Sequence, residues 1–239
     1  MAFARRKRVA TEVVRPPRVN LVGIVLAGRQ AAKSSIAVLN LRTREYQVLM
    51  EDELVPKSEA ATADWDAALL DYVSRCDPER VGIDGPCSLP AALMGRLPAS
   101  GTPDYLARAC DAEVGRAAAL VGPAAAITAR AIYLRHRCAA RQIAVDEVSA
   151  RAALLAFGVE KPWLRGKRGY QKNGAVLQRV VRTLALDGTF TCVRGKLDTA
   201  EKVDALACVL SIATPPEDTR WIGDPTEGQV RVPHRRYWQ

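Results

Sequence analysis

The stretch Val22-Gly23-Ile24-Val25-Leu26-Ala27-Gly28-Arg29-Gln30-Ala31-Ala32-Lys33-Ser34-Ser35 decides how this chain is read. An apolar run enters a glycine turn and leaves on Lys-Ser, which invites comparison with a phosphate-cradling loop. Such a loop needs a second glycine directly before the Lys, so that successive backbone N–H groups converge on the phosphate. Here four residues separate Gly28 from Lys33 and none is that glycine. The segment beyond Lys33, Ser35-Ile36-Ala37-Val38-Leu39-Asn40-Leu41, has the β-branched run of a strand, so no helix N-terminus would face a phosphate. The stretch is therefore the first strand of a sheet and the turn into the second.

Working outward, residues 19–27, 35–41 and 45–52 read as three strands joined by short turns, an antiparallel meander. Residues 65–76 have helical spacing after Thr62 and Asp64, and 81–86 (VGIDGP) form a short buried strand that stops at Gly-Pro. Thr102-Pro103-Asp104 opens an expected alanine-rich helix to about Leu120, and a second helix is expected over 124–141. IAVDEV at 143–148 is a fifth strand. Helical spacing follows at 149–156, 175–186 and 199–213, with a basic, glycine-containing loop over 160–174 and an extended clasp or hairpin at the end. Three strands, then strands reached through helices, predict a mixed sheet with helices packed on it.

The chain has 239 residues, 49% of them apolar, enough for one full core. Its apolar runs are far shorter than the ~20 residues that cross a bilayer, so no membrane span is expected. The net charge of +9 is uneven: Arg5, Arg6, Lys7, Arg8, Arg15 and Arg18 stand against Glu12 alone. Residues 1–18 are therefore expected to be a basic arm, either solvated or holding a polyanion, and residues 19–239 a single domain with the C-terminal clasp. No apolar segment follows Arg5–Arg8, so no secretory signal is expected at that place. Six scattered cysteines without a CxxC pair argue against zinc and fit a reducing, cytoplasmic compartment. With only His136 and His234 present, carboxylates are the better candidates for chemistry.

Asp84 ends one strand beside Gly85-Pro86, Asp146 and Glu147 end another on opposite sides, and the helix at 199–213 carries Glu201 and Asp204 on one face. Each has an ordinary structural alternative: a turn-stabilising carboxylate, a rim salt bridge, a helix-surface acid. Converging carboxylates raise one another's pKa unless a cation intervenes, and an all-oxygen set suits Mg²⁺ or Mn²⁺ in phosphodiester hydrolysis. Lys161, Arg165, Lys167, Arg168 and Lys172, interleaved with Trp163 and Tyr170, have the composition of a single-strand-binding loop; the alternative is a solvated loop with Trp163 in the core. Lys33 either reaches a phosphate or is merely exposed. Arg108 and Asp111, three apart, are a surface helix pair or part of a helix facing the site.

Taken together, VGIVLAG, GIDGP followed by SLP, Arg108 with Cys110-Asp111, the DEV strand, Tyr170 and Lys172, Asp204-Ala205 and the closing IGDPTEGQVRVP resemble the predicted ribonuclease-H-like nucleases of domain-of-unknown-function family 429, over about residues 19–233. The resemblance implies an α/β, ribonuclease-H-like mixed sheet and a metal-dependent nuclease acting on nucleic acid. It implies Asp84, Glu147 and Asp204 as catalytic metal ligands and a helix that turns Arg108 toward the site; Lys33, Lys161, Arg165, Lys167, Arg168, Tyr170 and Lys172 are expected with Arg108 along the nucleic acid. The family's first-strand aspartate falls on Val25, whose side chain cannot ligate a cation. Loss of catalysis with binding retained, a one-metal site on the remaining acids, and an inactivating change all remain open at this point. Sugar-kinase-type phosphotransfer on a related fold needs a duplicated domain, for which the chain is too short.

Overall fold

A computed structural model describes residues 19–28, 33–60, 63–96, 104–164, 166 and 169–238. The basic arm 1–18 and the loop residues Arg165, Lys167 and Arg168 lie outside the described residues, as do Thr62, Thr102 and Pro103.

β1 (Asn20–Val25), β2 (Ser35–Asn40) and β3 (Glu45–Met50) form the expected meander, with Val22 opposite Val38 and Ile36 opposite Leu49. α1 (Trp65–Cys76) starts where Asp64 caps the Ala67 N–H at 3.0 Å and stops at Asp77 in the left-handed region. β4 (Pro78–Asp84) returns parallel to β1. α2 (Ala109–Glu113), α3 (Pro123–Ala139) and β5 (Ala144–Val148) follow, the last parallel to β4. α4 (Ala150–Ala156), α5 (Gly174–Leu184), β6 (Thr191–Arg194) and α6 (Ala200–Ala213) lead to the terminal hairpin of β7 (Thr219–Ile222) and β8 (Val230–Pro233).

One sheet has the order β6-β3-β2-β1-β4-β5-β8-β7. Its middle five strands, with β2 antiparallel to both neighbours and β1, β4 and β5 parallel, are the ribonuclease-H-like mixed sheet expected from sequence. β6 extends it beside β3 and the hairpin extends it beyond β5. Leu21, Leu39 and Val148 face a core built with α4, α5 and α6; Val22, Ile24, Val81 and Ile83 face α1 and α3. No helix among the described residues is long and apolar enough to cross a membrane.

The long helix expected to run to Leu120 is not formed. Between Asp104 and Leu120 only the five residues of α2 are helical. Arg108 takes extended backbone (φ −96°, ψ 156°) and buries its side chain against Asp111 and Glu147, and Gly115 at φ 71° ends the turn. A buried charge contact has overridden alanine's helical preference.

The sheet and α6 meet with almost nothing between them. Gly23 pairs with Gly82 in the parallel register and with Ala37 on the other side, so three small residues make a shallow groove. A Cβ at Gly23 would collide with the Ala205 carbonyl oxygen and stand 2.5 Å from the Val209 nitrogen. α6 fits this groove because it is buried on nearly every side. The close approach carries Asp204, one residue before Ala205, to the carboxyl ends of β1 and β4.

Candidate active-site cleft

At those strand ends Val25 and Asp84 stand side by side in the register. With Asp204 they line a cleft of about 460 Å³, whose walls include Arg116 and Gln171. The cleft meets a larger hollow of about 860 Å³ at Pro123; Gly28 and Lys33 form one side of that hollow and the start of α3 the other.

Asp204 is buried, and the Tyr170 hydroxyl donates to its Oδ1. Burial, reinforced by the charge of Asp84, pushes its carboxyl well above the usual carboxylate range. Asp84 accepts from Arg116 Nη2 at 2.8 Å. The same guanidinium donates through Nη1 to Glu147 Oε1 at 2.5 Å and through Nη2 to the Val148 carbonyl. Burial opposes the charge on Arg116, but Asp84 and Glu147 more than offset that and hold its pKa above the ordinary arginine value.

Glu147 does not join Asp84 and Asp204 as the sequence led us to expect. Asp84 is opposite Val148 in the β4–β5 register, and Val148 faces α6; Glu147, one residue earlier, turns to the other side. There it accepts from Arg108 Nη1 and Nη2 at 2.7 and 2.6 Å and from the Cys87 N–H at 2.8 Å. Arg108 also bonds Asp111 at 2.7 Å and Ser88 at 2.9 Å. Glu227, in the closing turn, accepts from the Ala91 and Ala109 N–H groups and so ties the clasp to the start of α2. Asp146 lies between Arg80 and Arg231 as a structural pair.

Two expected nucleic-acid contacts are corrected by burial. Arg108 has no exposed side-chain surface and is consumed by Asp111 and Glu147. Tyr170 is 5% exposed, its ring in the α6-side core and its hydroxyl on Asp204, so it offers no face for stacking. Trp163 also packs against that core. Lys33, Lys161 and Lys172 are exposed, Lys33 on the wall of the larger hollow and Lys172 next to the cleft residue Gln171. Sequence reasoning missed Arg116, a single arginine after a glycine with no motif around it, and Glu227, whose place in a turn gave no sign of its partners.

The fit of a divalent ion follows from these contacts. Among the described residues, Cys110, Asp111 and Glu147 bring ligand atoms within 4.8 Å of one another. The Arg108 guanidinium already bridges the two carboxylates, so that group is an ion-pair cluster. The cleft differs. Asp84 is paired with Arg116, whereas Asp204, among the described residues, has the Tyr170 hydroxyl and no cationic side chain against it. Two carboxylates on open space suit one Mg²⁺ or Mn²⁺ that keeps part of its water shell. Val25 provides no ligand for a second ion.

No protein-family model matches the chain, and no curated protein matches its sequence; the resemblance to family 429 rests on the quoted motifs alone. Among solved structures it is similar to T. thermophilus RuvC in complex with Holliday junction substrate, at 12% identity and a TM-score of 0.37, over 80% of this chain and 90% of that one. So loose a likeness carries no argument about the site.

Proposed function

We propose that this chain is a metal-dependent nuclease of ribonuclease-H type, hydrolysing phosphodiester bonds in nucleic acid with one divalent ion, Mg²⁺ or Mn²⁺, held by Asp84 and Asp204. The observation that carries the reading is the convergence of these two acids, from β4 and α6, in one cleft where the charge of Asp84 bears on Asp204. The motifs shared with family 429 point the same way.

An ion there supplies Lewis-acid polarisation of a phosphoryl oxygen. The chain's own residues do the rest. Tyr170 orients Asp204, and Lys33 with the start of α3 draws flanking phosphates into the adjoining hollow. Lys161 and Lys172 extend the basic surface, with Arg165, Lys167 and Arg168 as further contacts in the same loop and the 1–18 arm as a salt-sensitive tether. Glu147 anchors Arg116 instead of serving as a ligand. Six free thiols fit a cytoplasmic setting.

Val25 and the Arg116–Asp84 pair favour a second reading, a nucleic-acid-binding protein on the same sheet that no longer cuts. Cleavage of labelled single-stranded, duplex, hybrid and branched nucleic acids in Mn²⁺ separates the two, with wild type, Val25→Asp and Asp204→Asn compared. The nuclease reading expects cutting by wild type, faster cutting by Val25→Asp and none by Asp204→Asn. Binding without cutting in all three establishes the second reading; cutting unaffected by Asp204→Asn removes the cleft from the mechanism.

A further inference from the structure

We propose that Arg116 is a built-in competitor for the divalent ion: a residue that occupies Asp84 as a cation would, and so sets how readily a metal enters the cleft. The inference rests on the reading of Asp84 and Asp204 as the metal-holding pair.

Arg116 is not a surface arginine that happens to lie nearby. Its side chain is 13% exposed and donates to three acceptors, Asp84, Glu147 and the Val148 carbonyl. Its anchor is itself fixed, because Glu147 is gripped by both Arg108 nitrogens and the Cys87 N–H, and Arg108 by Asp111. The chain has therefore built a rigid socket that presents a guanidinium to Asp84 from behind the sheet edge. The guanidinium also forms part of the cleft wall.

Two consequences follow from charge alone. With Arg116 on Asp84 Oδ1, a second cation at that carboxylate meets a like charge and finds one oxygen already engaged, so its affinity falls. When Asp84 turns to an ion, Arg116 keeps its bond to Glu147 and remains on the cleft wall with a freed N–H donor. A phosphodiester in the cleft is a natural acceptor for that donor. Metal entry and phosphate binding would then be coupled through a single side chain.

The test needs no nucleic acid. Mn²⁺ binding is followed by the loss of the free-ion signal in electron paramagnetic resonance, for wild type, Arg116→Gln, Arg116→Lys and Arg116→Gln/Asp84→Asn. Circular dichroism and a cooperative melt confirm that each is folded. Arg116→Gln is expected to bind Mn²⁺ at least about tenfold more tightly than wild type, and Asp84→Asn in the double variant to abolish the gain. Arg116→Lys keeps the charge but cannot bridge three acceptors with a planar fork, and should lie between. If Arg116→Gln does not fold, Arg116→Lys alone decides. No gain in a folded Arg116 variant, or a gain that survives Asp84→Asn, overturns the proposal. Absence of cleavage together with the expected Mn²⁺ pattern would instead count against the nuclease reading and leave the competition standing.

Discussion

Val25 and Asp84 are direct partners in the parallel register of β1 and β4, so the residue that lacks a ligand sits next to the residue that has one. Both face the cleft that Asp204 enters from α6. Val25→Asp would put a third carboxylate into this space. Without metal, mutual repulsion and partial burial should lower stability by roughly 1–3 kcal/mol. With Mn²⁺ the loss should be recovered, because a ligand bound only by the folded form stabilises it. Melting curves of Val25→Asp in chelator and in millimolar Mn²⁺ test this, and a variant whose melting temperature ignores the metal would count against a cation site between these strands.

The glycine groove makes a sharper structural prediction. At Gly23 the two nearest atoms that a Cβ would meet are backbone atoms of α6, which cannot rotate away. At Gly82 the nearest is an Ile212 methyl carbon at 3.0 Å, which can shift, and the Cys208 carbonyl follows at 3.2 Å, tight but short of a collision. Gly23→Ala should therefore cost at least the ~1–3 kcal/mol of ordinary overpacking, and Gly82→Ala less. Since α6 carries Asp204, Gly23→Ala should also weaken Mn²⁺ binding. Urea unfolding of the two variants gives the order; equal effects would mean that α6 slides without resistance.

Arg108 is the hub of the buried cluster, with Asp111 and Glu147 at 2.7 and 2.6 Å and no exposed side-chain surface. Arg108→Met leaves both acids buried and short of a partner, and should cost about 3–5 kcal/mol. Adding Asp111→Asn and Glu147→Gln removes the two charges that Arg108 had paired, of which Glu147 still has Arg116, and should return part of that loss. A triple variant no more stable than Arg108→Met would show that packing, rather than charge, accounts for the penalty.

How far this could be read from sequence depends on which physical signal each feature carries. The meander, α1, α3, α6 and the terminal hairpin follow from apolar periodicity and from the punctuation at Asp64, Gly85-Pro86 and Pro123, and their boundaries in the structure lie close to the expected ones. β6 was missed because its four residues, all exposed, show no alternation. Alternation did show that Asp146 and Glu147 must part. It could not show which one faces α6, since that depends on the pairing of Asp84 with Val148 across the sheet. Tyr170 was assigned to a nucleic-acid surface on residue type and Arg108 on the family resemblance, and their burial comes from partners 34 and 39 residues away. Long-range ion pairs leave no local pattern, which is also why Arg116 went unseen.

Glu51, at the end of β3, gives the pH dependence a definite sign. It is fully buried and accepts from Arg130 Nη2 at 2.5 Å. Burial pushes its carboxyl above the usual 4.5, although the charge of Arg130 pulls the other way. The folded state therefore binds the Glu51 proton more tightly than the unfolded chain does. Its contribution to stability is fully present below pH 4.5 and is lost as the pH rises through the raised folded value. Glu51→Gln cannot titrate. The difference in unfolding free energy between wild type and Glu51→Gln should thus favour wild type most in acid and shift against it towards neutral pH. Urea unfolding of both proteins across that range measures the difference directly, and a difference that instead grows in wild type's favour as pH rises would show that Arg130 outweighs burial at this site.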